Sequence, residues 1–202
     1  MLALVLAAAA LGSARLPPID QCATDRSFVA FRAALERTIA RRDAAALLKV
    51  VADDIQASLG GDSGKADFIA LWGLKRPLSS KVWDELGSAL RIGCSLRGGV
   101  ATAPWMADQL GGDRDAFETR IALPGAVLRK RPSERSPAIA RLDWHVLTLS
   151  GPWNGGAWVK VTLDDGRGGY VRDALARSPI DYRAWFRKRR GRWQMEGFLA
   201  GD

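Results

Sequence analysis

Between Thr119 and Arg177 the chain breaks into apolar runs too short for helices, separated by glycine and proline clusters, and this stretch most narrows what the chain can fold into. Ala126 to Lys130 reads as an opening strand. The polar segment Arg131-Pro-Ser-Glu-Arg-Ser-Pro137 follows, and its two prolines rule out regular pairing there. Ile139 to Leu149 carries Ile139, Leu142, Trp144, Val146, Leu147 and Leu149, a β-branched and aromatic set that predicts one long strand. Gly151-Pro-Trp-Asn-Gly-Gly156 is a turn cluster. Beyond it Trp158, Lys160 and Thr162 alternate with Val159, Val161 and Leu163, as strand residues do, and Trp158 is expected in the core. Asp165-Gly166 supplies residues tolerant of positive φ for a tight hairpin, and Gly169 to Val171 is the last short strand.

The rest of the chain has a different period. From Ser27 onward Phe28, Phe31, Leu35 and Ile39 recur at three and four residues, with Asp25 or Ser27 able to cap the helix. Arg41-Arg42-Asp43 interrupts that pattern, and Ala44 to Val51 predicts a second helix. Residues 53–59 read as a short strand ended by Gly60-Gly61; further helices are predicted over residues 65–72 and 81–90. A hairpin is predicted across Arg97-Gly-Gly99, core positions at Pro104-Trp-Met106, and a linker over residues 110–115. The tail forms a terminal β-hairpin from Tyr182–Arg189 and Arg192–Leu199 about the Arg190-Gly191 turn.

Residues 1–14 have the aliphatic run and small Gly12-Ser-Ala14 site of a secretory signal, although no basic residue precedes the run; a buried N-terminal helix is the alternative. No other stretch is long and apolar enough to span a bilayer. The chain has only 2 cysteines, Cys22 and Cys94, outside any metal or Cys-x-x-Cys spacing, and in an exported protein they are expected to form a disulfide.

Pro124-Gly-Ala-Val-Leu-Arg129, then Ala140-Arg-Leu142, Trp158-Val-Lys-Val161 and Asp165-Gly-Arg-Gly-Gly-Tyr-Val171, in this order, resemble the bacterial SH3-type (SH3b) family. The resemblance implies a closed SH3-like β-barrel over 119–177 that binds a peptide or cell-wall component outside the cytoplasm and performs no chemistry. The N-terminal helices, the glycine turn and helix of Gly60-Gly-Asp-Ser-Gly-Lys-Ala-Asp-Phe68, and the closing strand Phe198-Leu-Ala-Gly-Asp202 resemble NTF2-like proteins, which implies a cone-shaped pocket. The expected organisation is α+β: residues 1–14 a signal peptide, 22–115 a mainly helical module of NTF2-like flavour, 119–177 an SH3-like β-barrel, and 178–202 a C-terminal β-hairpin packing on the helical module.

The residue inventory disfavours catalysis. His145 is the only histidine, so no second imidazole can share a metal with it, and Asp53-Asp54 and Asp84-Glu85 are sequence neighbours whose side chains diverge. No cofactor or metal is expected. The glycines near residue 60 do not match the order of a phosphate-binding loop, and a structural turn is the reading for them. A net charge of +8, concentrated in Arg183, Arg187, Lys188, Arg189, Arg190 and Arg192 with Trp185 and Trp193 interleaved, has the elements of a nucleic-acid grip. It equally describes the solvated face of a hairpin, and for an exported protein an anionic envelope surface is the better electrostatic partner. Ligand contact is assigned to Trp153, Trp144 and Tyr170, with Trp153 in its glycine-rich turn the most exposed. The expected function is noncatalytic recognition of a peptide, peptidoglycan or envelope protein in the periplasm or outside the cell. The alternative is an NTF2-like small-molecule or enzymatic pocket between the helices and the C-terminal hairpin.

Overall fold

The structure, a computed structural model, describes residues 13–109, 114–153 and 155–201. Its helices are α1 (Arg26–Ala40), α2 (Ala44–Val50), α3 (Gly64–Leu71) and α4 (Val82–Arg91). Its strands are β1 (Val51–Gln56), β2 (Ser95–Arg97), β3 (Val100–Ala103), β4 (Thr119–Ala122), β5 (Val127–Arg129), β6 (Ala138–Arg141), β7 (Val146–Leu149), β8 (Trp158–Thr162), β9 (Gly168–Arg172), β10 (Ala176–Arg177), β11 (Arg183–Arg189) and β12 (Arg192–Leu199). The fold class is α+β. The chain divides into unit 1, Met1–Pro17 with Arg114–Ser178, and unit 2, Pro18–Asp113 with Pro179–Asp202. Arg114–Ser178, the larger part of unit 1, thus lies in sequence between the two parts of unit 2, and its smaller part precedes both. The expected leader falls mostly on residues 1–12 and the expected linker mostly on 110–113, outside the described residues.

Unit 2 begins with capped helices. Asp25 accepts from the backbone N–H groups of Ser27 and Phe28 at the start of α1, and Asp43 accepts from Ala46 N–H at the start of α2, so donors with no helical partner are satisfied. The apolar faces of the helices cover a five-stranded sheet in the order β1-β12-β11-β3-β2, in which only the β1 and β12 pair is parallel. β11 and β12 turn through Arg190 and Gly191 at φ 50° and 75°, the left-handed pair that matches strand twist. The core is aromatic: Phe28 meets Phe31, Phe186 and Trp193 at ring separations of 5.8, 5.6 and 4.9 Å. Gly197 has a packing reason, since a Cβ there would lie 1.9 Å from the Trp185 ring on the neighbouring strand. Cys22 and Cys94 form the expected disulfide, tying the turn before α1 to the start of β2 across 72 residues. Trp105 and Met106 are buried, as read from the sequence.

Unit 1 holds a seven-stranded sheet, β10-β4-β7-β8-β9-β5-β6, with every pair antiparallel. This corrects the expectation of a sealed barrel. β10 and β6 stand at opposite ends of the order, and among the described residues no ladder joins them. One cause is length: β10 has two residues, too few to carry a second ladder with stable register. The other is a break at Trp144, whose φ of 56° divides the run expected as one strand into β6 and β7. Leu142 N–H then donates to Ala126 O and Trp144 N–H to Ala122 O, so this bent segment crosses from the start of β5 to the end of β4. Ser13 to Leu16 lies along the same bend: Val146 N–H donates to Ala14 O and Leu16 N–H to Trp144 O. The interior is small and aliphatic, built on Ala122, Ala126, Leu128, Leu142, Leu147, Val159, Val161, Leu163, Val171 and Ala176.

Candidate functional site

A concavity lies within unit 2, at the end of the sheet where α3 stops. Its volume is about 470 Å³, within the range of small-molecule sites. Three stretches remote in sequence converge there: Ala57 and Ser58 after β1, Leu71 to Gly73 and Ser79 to Lys81 around the α3 to α4 connection, and Tyr182, Leu199 and Ala200 from the terminal hairpin. α3 ends because Gly73 takes φ 59° while Gly73 N–H donates to Ala70 O and Leu74 N–H to Ile69 O, which turns the chain and leaves Trp72 on the wall.

Two aromatic rings, Trp72 and Tyr182, line that wall, and the buried Phe198 packs against both from the core. Trp72 stacks on Phe198 at 4.8 Å with planes 21° apart, and Tyr182 lies 4.9 Å from Trp72 and 5.4 Å from Phe198. Burial, then the negative charges of Glu85 and Asp181, hold the Tyr182 phenol above its ordinary value, so it stays a neutral hydroxyl. The other polar groups are Ser58, Ser79, Ser80 and the exposed Lys81. Ser80 Oγ donates to Trp72 O at 2.5 Å and accepts from Val82 N–H, which fixes the loop beneath the cavity. No carboxylate, imidazole or thiol is among the lining side chains described. Such a wall can stack on an apolar or aromatic group, and Lys81 can meet an anionic end.

Unit 1 offers a surface in place of a cavity. β8 and β9 pair Trp158 with Arg172 and Lys160 with Tyr170, and Arg129 of β5 pairs with Tyr170, so these five share the outer face while Val159, Val161 and Val171 point inward. Trp158 is therefore not the core residue expected; the Arg172 guanidinium lies over its ring at 4.8 Å. Glu134 binds both Arg172, at 2.6 Å, and Arg129, at 3.1 Å, and the Arg172 contact foremost holds its carboxyl below the ordinary range. Trp153 is 50% exposed and shares a shallow cleft of about 40 Å³ with Trp158 and Lys160. Trp144 is half-buried at the bend between β6 and β7, and no ring contact joins it to Trp153 or Tyr170. The three assigned aromatics thus divide, with Trp153 and Tyr170 at the outer face and Trp144 at the bend.

The basic tail is largely partnered inside unit 2. Arg189 reaches Glu196 at 2.6 Å and Asp54 at 2.7 Å, Arg187 reaches Glu196 at 3.2 Å, and Lys188 reaches Asp25 at 3.2 Å while lying over Trp193. Hydrogen bonds from the Ser27 hydroxyl and the Phe28 N–H, with a contribution from Lys188, hold the Asp25 carboxyl at about 2. Asp20 lies beside Cys22 and Cys94, but the sulfurs are bonded to each other and offer no thiolate to a metal. The sequence reading named neither Trp72 nor Tyr182 as a site residue; only the meeting of the α3 end with the hairpin brings them together. No family model, curated protein or solved structure matches the chain.

Proposed function

We propose that this chain is a noncatalytic binding protein that works outside the cytoplasm, and that unit 2 takes a small amphipathic molecule into its cavity. The observation that carries this reading is the composition of the wall: the Trp72 and Tyr182 rings, three serine hydroxyls and one ammonium, with no carboxylate or imidazole among the described lining side chains. The α1, α2, β1 and α3 order with the closing hairpin supports an NTF2-like relationship for unit 2. The disulfide supports an oxidising compartment, periplasmic or extracellular.

The experiment is titration with an aromatic sulfonate fluorophore, 1-anilinonaphthalene-8-sulfonate, against the full chain and two variants. Ala200→Trp fills the cavity and is expected to abolish the fluorescence gain. Lys81→Glu removes the cation at the anionic end and is expected to weaken binding about tenfold, equivalent to about 1.4 kcal/mol. Equal fluorescence from wild type and Ala200→Trp would place the probe elsewhere and remove the reading.

A second reading rests on unit 1. The SH3b-like order of its strands, with Trp153, Trp158, Tyr170, Lys160 and Arg172 at one outer face, suits an extended peptide or glycan chain whose flat groups stack on indole. In this reading, retention of the protein on purified peptidoglycan falls on Trp153→Ala substitution; undiminished retention would exclude the face.

A further inference from the structure

We propose that the mouth of the unit 2 cavity seats on an anionic lipid bilayer. The proposal goes beyond ligand binding in the cavity and uses only its rim. Large exposed hydrophobic side chains among the described residues are few, and three of the seven gather here: Leu71 at 54% exposure lines the cavity, Leu78 at 71% precedes the lining Ser79, and Leu59 at 49% follows the lining Ser58. Leu59 also reaches Gly201, its Cδ1 lying 3.6 Å from where a Cβ would stand, next to the lining Ala200.

Leu78 is held outward. The Arg42 guanidinium donates to Leu78 O, Trp83 Nε1 donates to Pro77 O at 2.5 Å, and Ser79 Oγ donates to Arg76 O at 3.1 Å. A turn fixed at three successive carbonyls cannot easily fold its leucine back, so the exposure is built into the backbone. Exposed cations stand in the same stretch: Lys75, Arg76 and Lys81. None of the three has a carboxylate within 4.0 Å among the described residues, in contrast to the paired cations of the tail. The carboxylates nearest the stretch in sequence are Asp67, which accepts from Ser63 N–H, Asp84, which lies 3.7 Å from Arg42, and Glu85, whose charge bears on Tyr182. Protruding aliphatic side chains ringed by unpaired cations match the acyl boundary and headgroup charge of an anionic leaflet.

The test is flotation of the full chain with vesicles of phosphatidylcholine alone or mixed with phosphatidylglycerol. Wild type is expected to float only with the mixed vesicles. Leu78→Asp should lower partition roughly tenfold, and Lys75→Glu combined with Arg76→Glu roughly thirtyfold. Arg190→Glu with Arg192→Glu, the same change in net charge at the far hairpin turn, should bind like wild type to within about threefold. Ala200→Trp should keep vesicle binding while losing the soluble fluorophore, which separates failure of the rim from failure of the cavity. The proposal is overturned if wild type does not float, if it floats equally with both vesicle types, if Leu78→Asp floats like wild type, or if both charge reversals have the same effect.

Discussion

Unit 2 keeps its aromatic rings inside and unit 1 carries its own outside. Phe28, Phe68, Phe186 and Phe198 are fully buried beneath the helices of unit 2, whereas the interior of unit 1 is alanine, valine and leucine. Size explains the contrast. A sheet of strands two to five residues long encloses little space, so only small aliphatic side chains fill it to native density, and larger rings are displaced to its outer face. A sheet covered by helices has room for rings. Rings pack as rigid plates, however, and where Trp72 and Tyr182 close over Phe198 at the end of the sheet a cavity remains beside them. Binding capacity thus arises by opposite routes: rings excluded from one interior, and rings incompletely filling the other.

That contrast is open to direct attack. Phe186→Ala, which removes a buried ring in contact with Phe28 and Phe31, should destabilise unit 2 by about 3 to 5 kcal/mol in urea unfolding, while Trp153→Ala in unit 1 should stay within about 0.5 kcal/mol. Comparable losses would show that Trp153 packs as a core residue and would end the distinction. Replacing both Cys22 and Cys94 with serine releases a loop of 72 residues and should cost about 4 kcal/mol in the chain-entropy model, sharpening the dependence of unit 2 on a covalent tie. A loss below about 1 kcal/mol would mean that the Asp20 to Cys94 backbone bridge already holds this corner.

The smallest expected effect concerns the start of α1. The Asp25 carboxyl is lowered from an ordinary 3.8 to about 2 in the folded protein. Its stabilising contribution is therefore complete above about pH 4 and lost as pH falls through about 2. Asparagine can still cap the helix but does not titrate, so the difference in unfolding midpoint between wild type and Asp25→Asn should shrink steadily across that window. A constant difference would show that the carboxylate charge contributes nothing.

Much of the secondary structure is legible in the chain. Asp25 and Asp43 announce helix starts, Phe28 and Leu35 mark the buried side of α1, and Arg190-Gly191 announces the terminal turn, because each acts through neighbours a few residues away. The even pair of cysteines foretold its bond. The bend at Trp144 is not legible, since nothing in Leu142-Asp-Trp-His145 forbids extension and tryptophan seldom adopts positive φ. Missing that bend is what turned two strands into one and an open sheet into a barrel. The outward side of Trp158 was implicit in its alternation with Val159, but its hydrophobicity argued for the core.

By itself the sequence determined the α+β class and offered one even pair of cysteines for a disulfide, because composition and short-range periodicity survive any arrangement of the elements. Only the tertiary structure decided that Ser58, Trp72, Lys81 and Tyr182 share one cavity, with Leu59, Leu71 and Leu78 at its rim. Those residues come together through the parallel pairing of β1 with β12 and the stop of α3 at Gly73, long-range contacts between segments more than a hundred residues apart that leave no periodic trace in the chain.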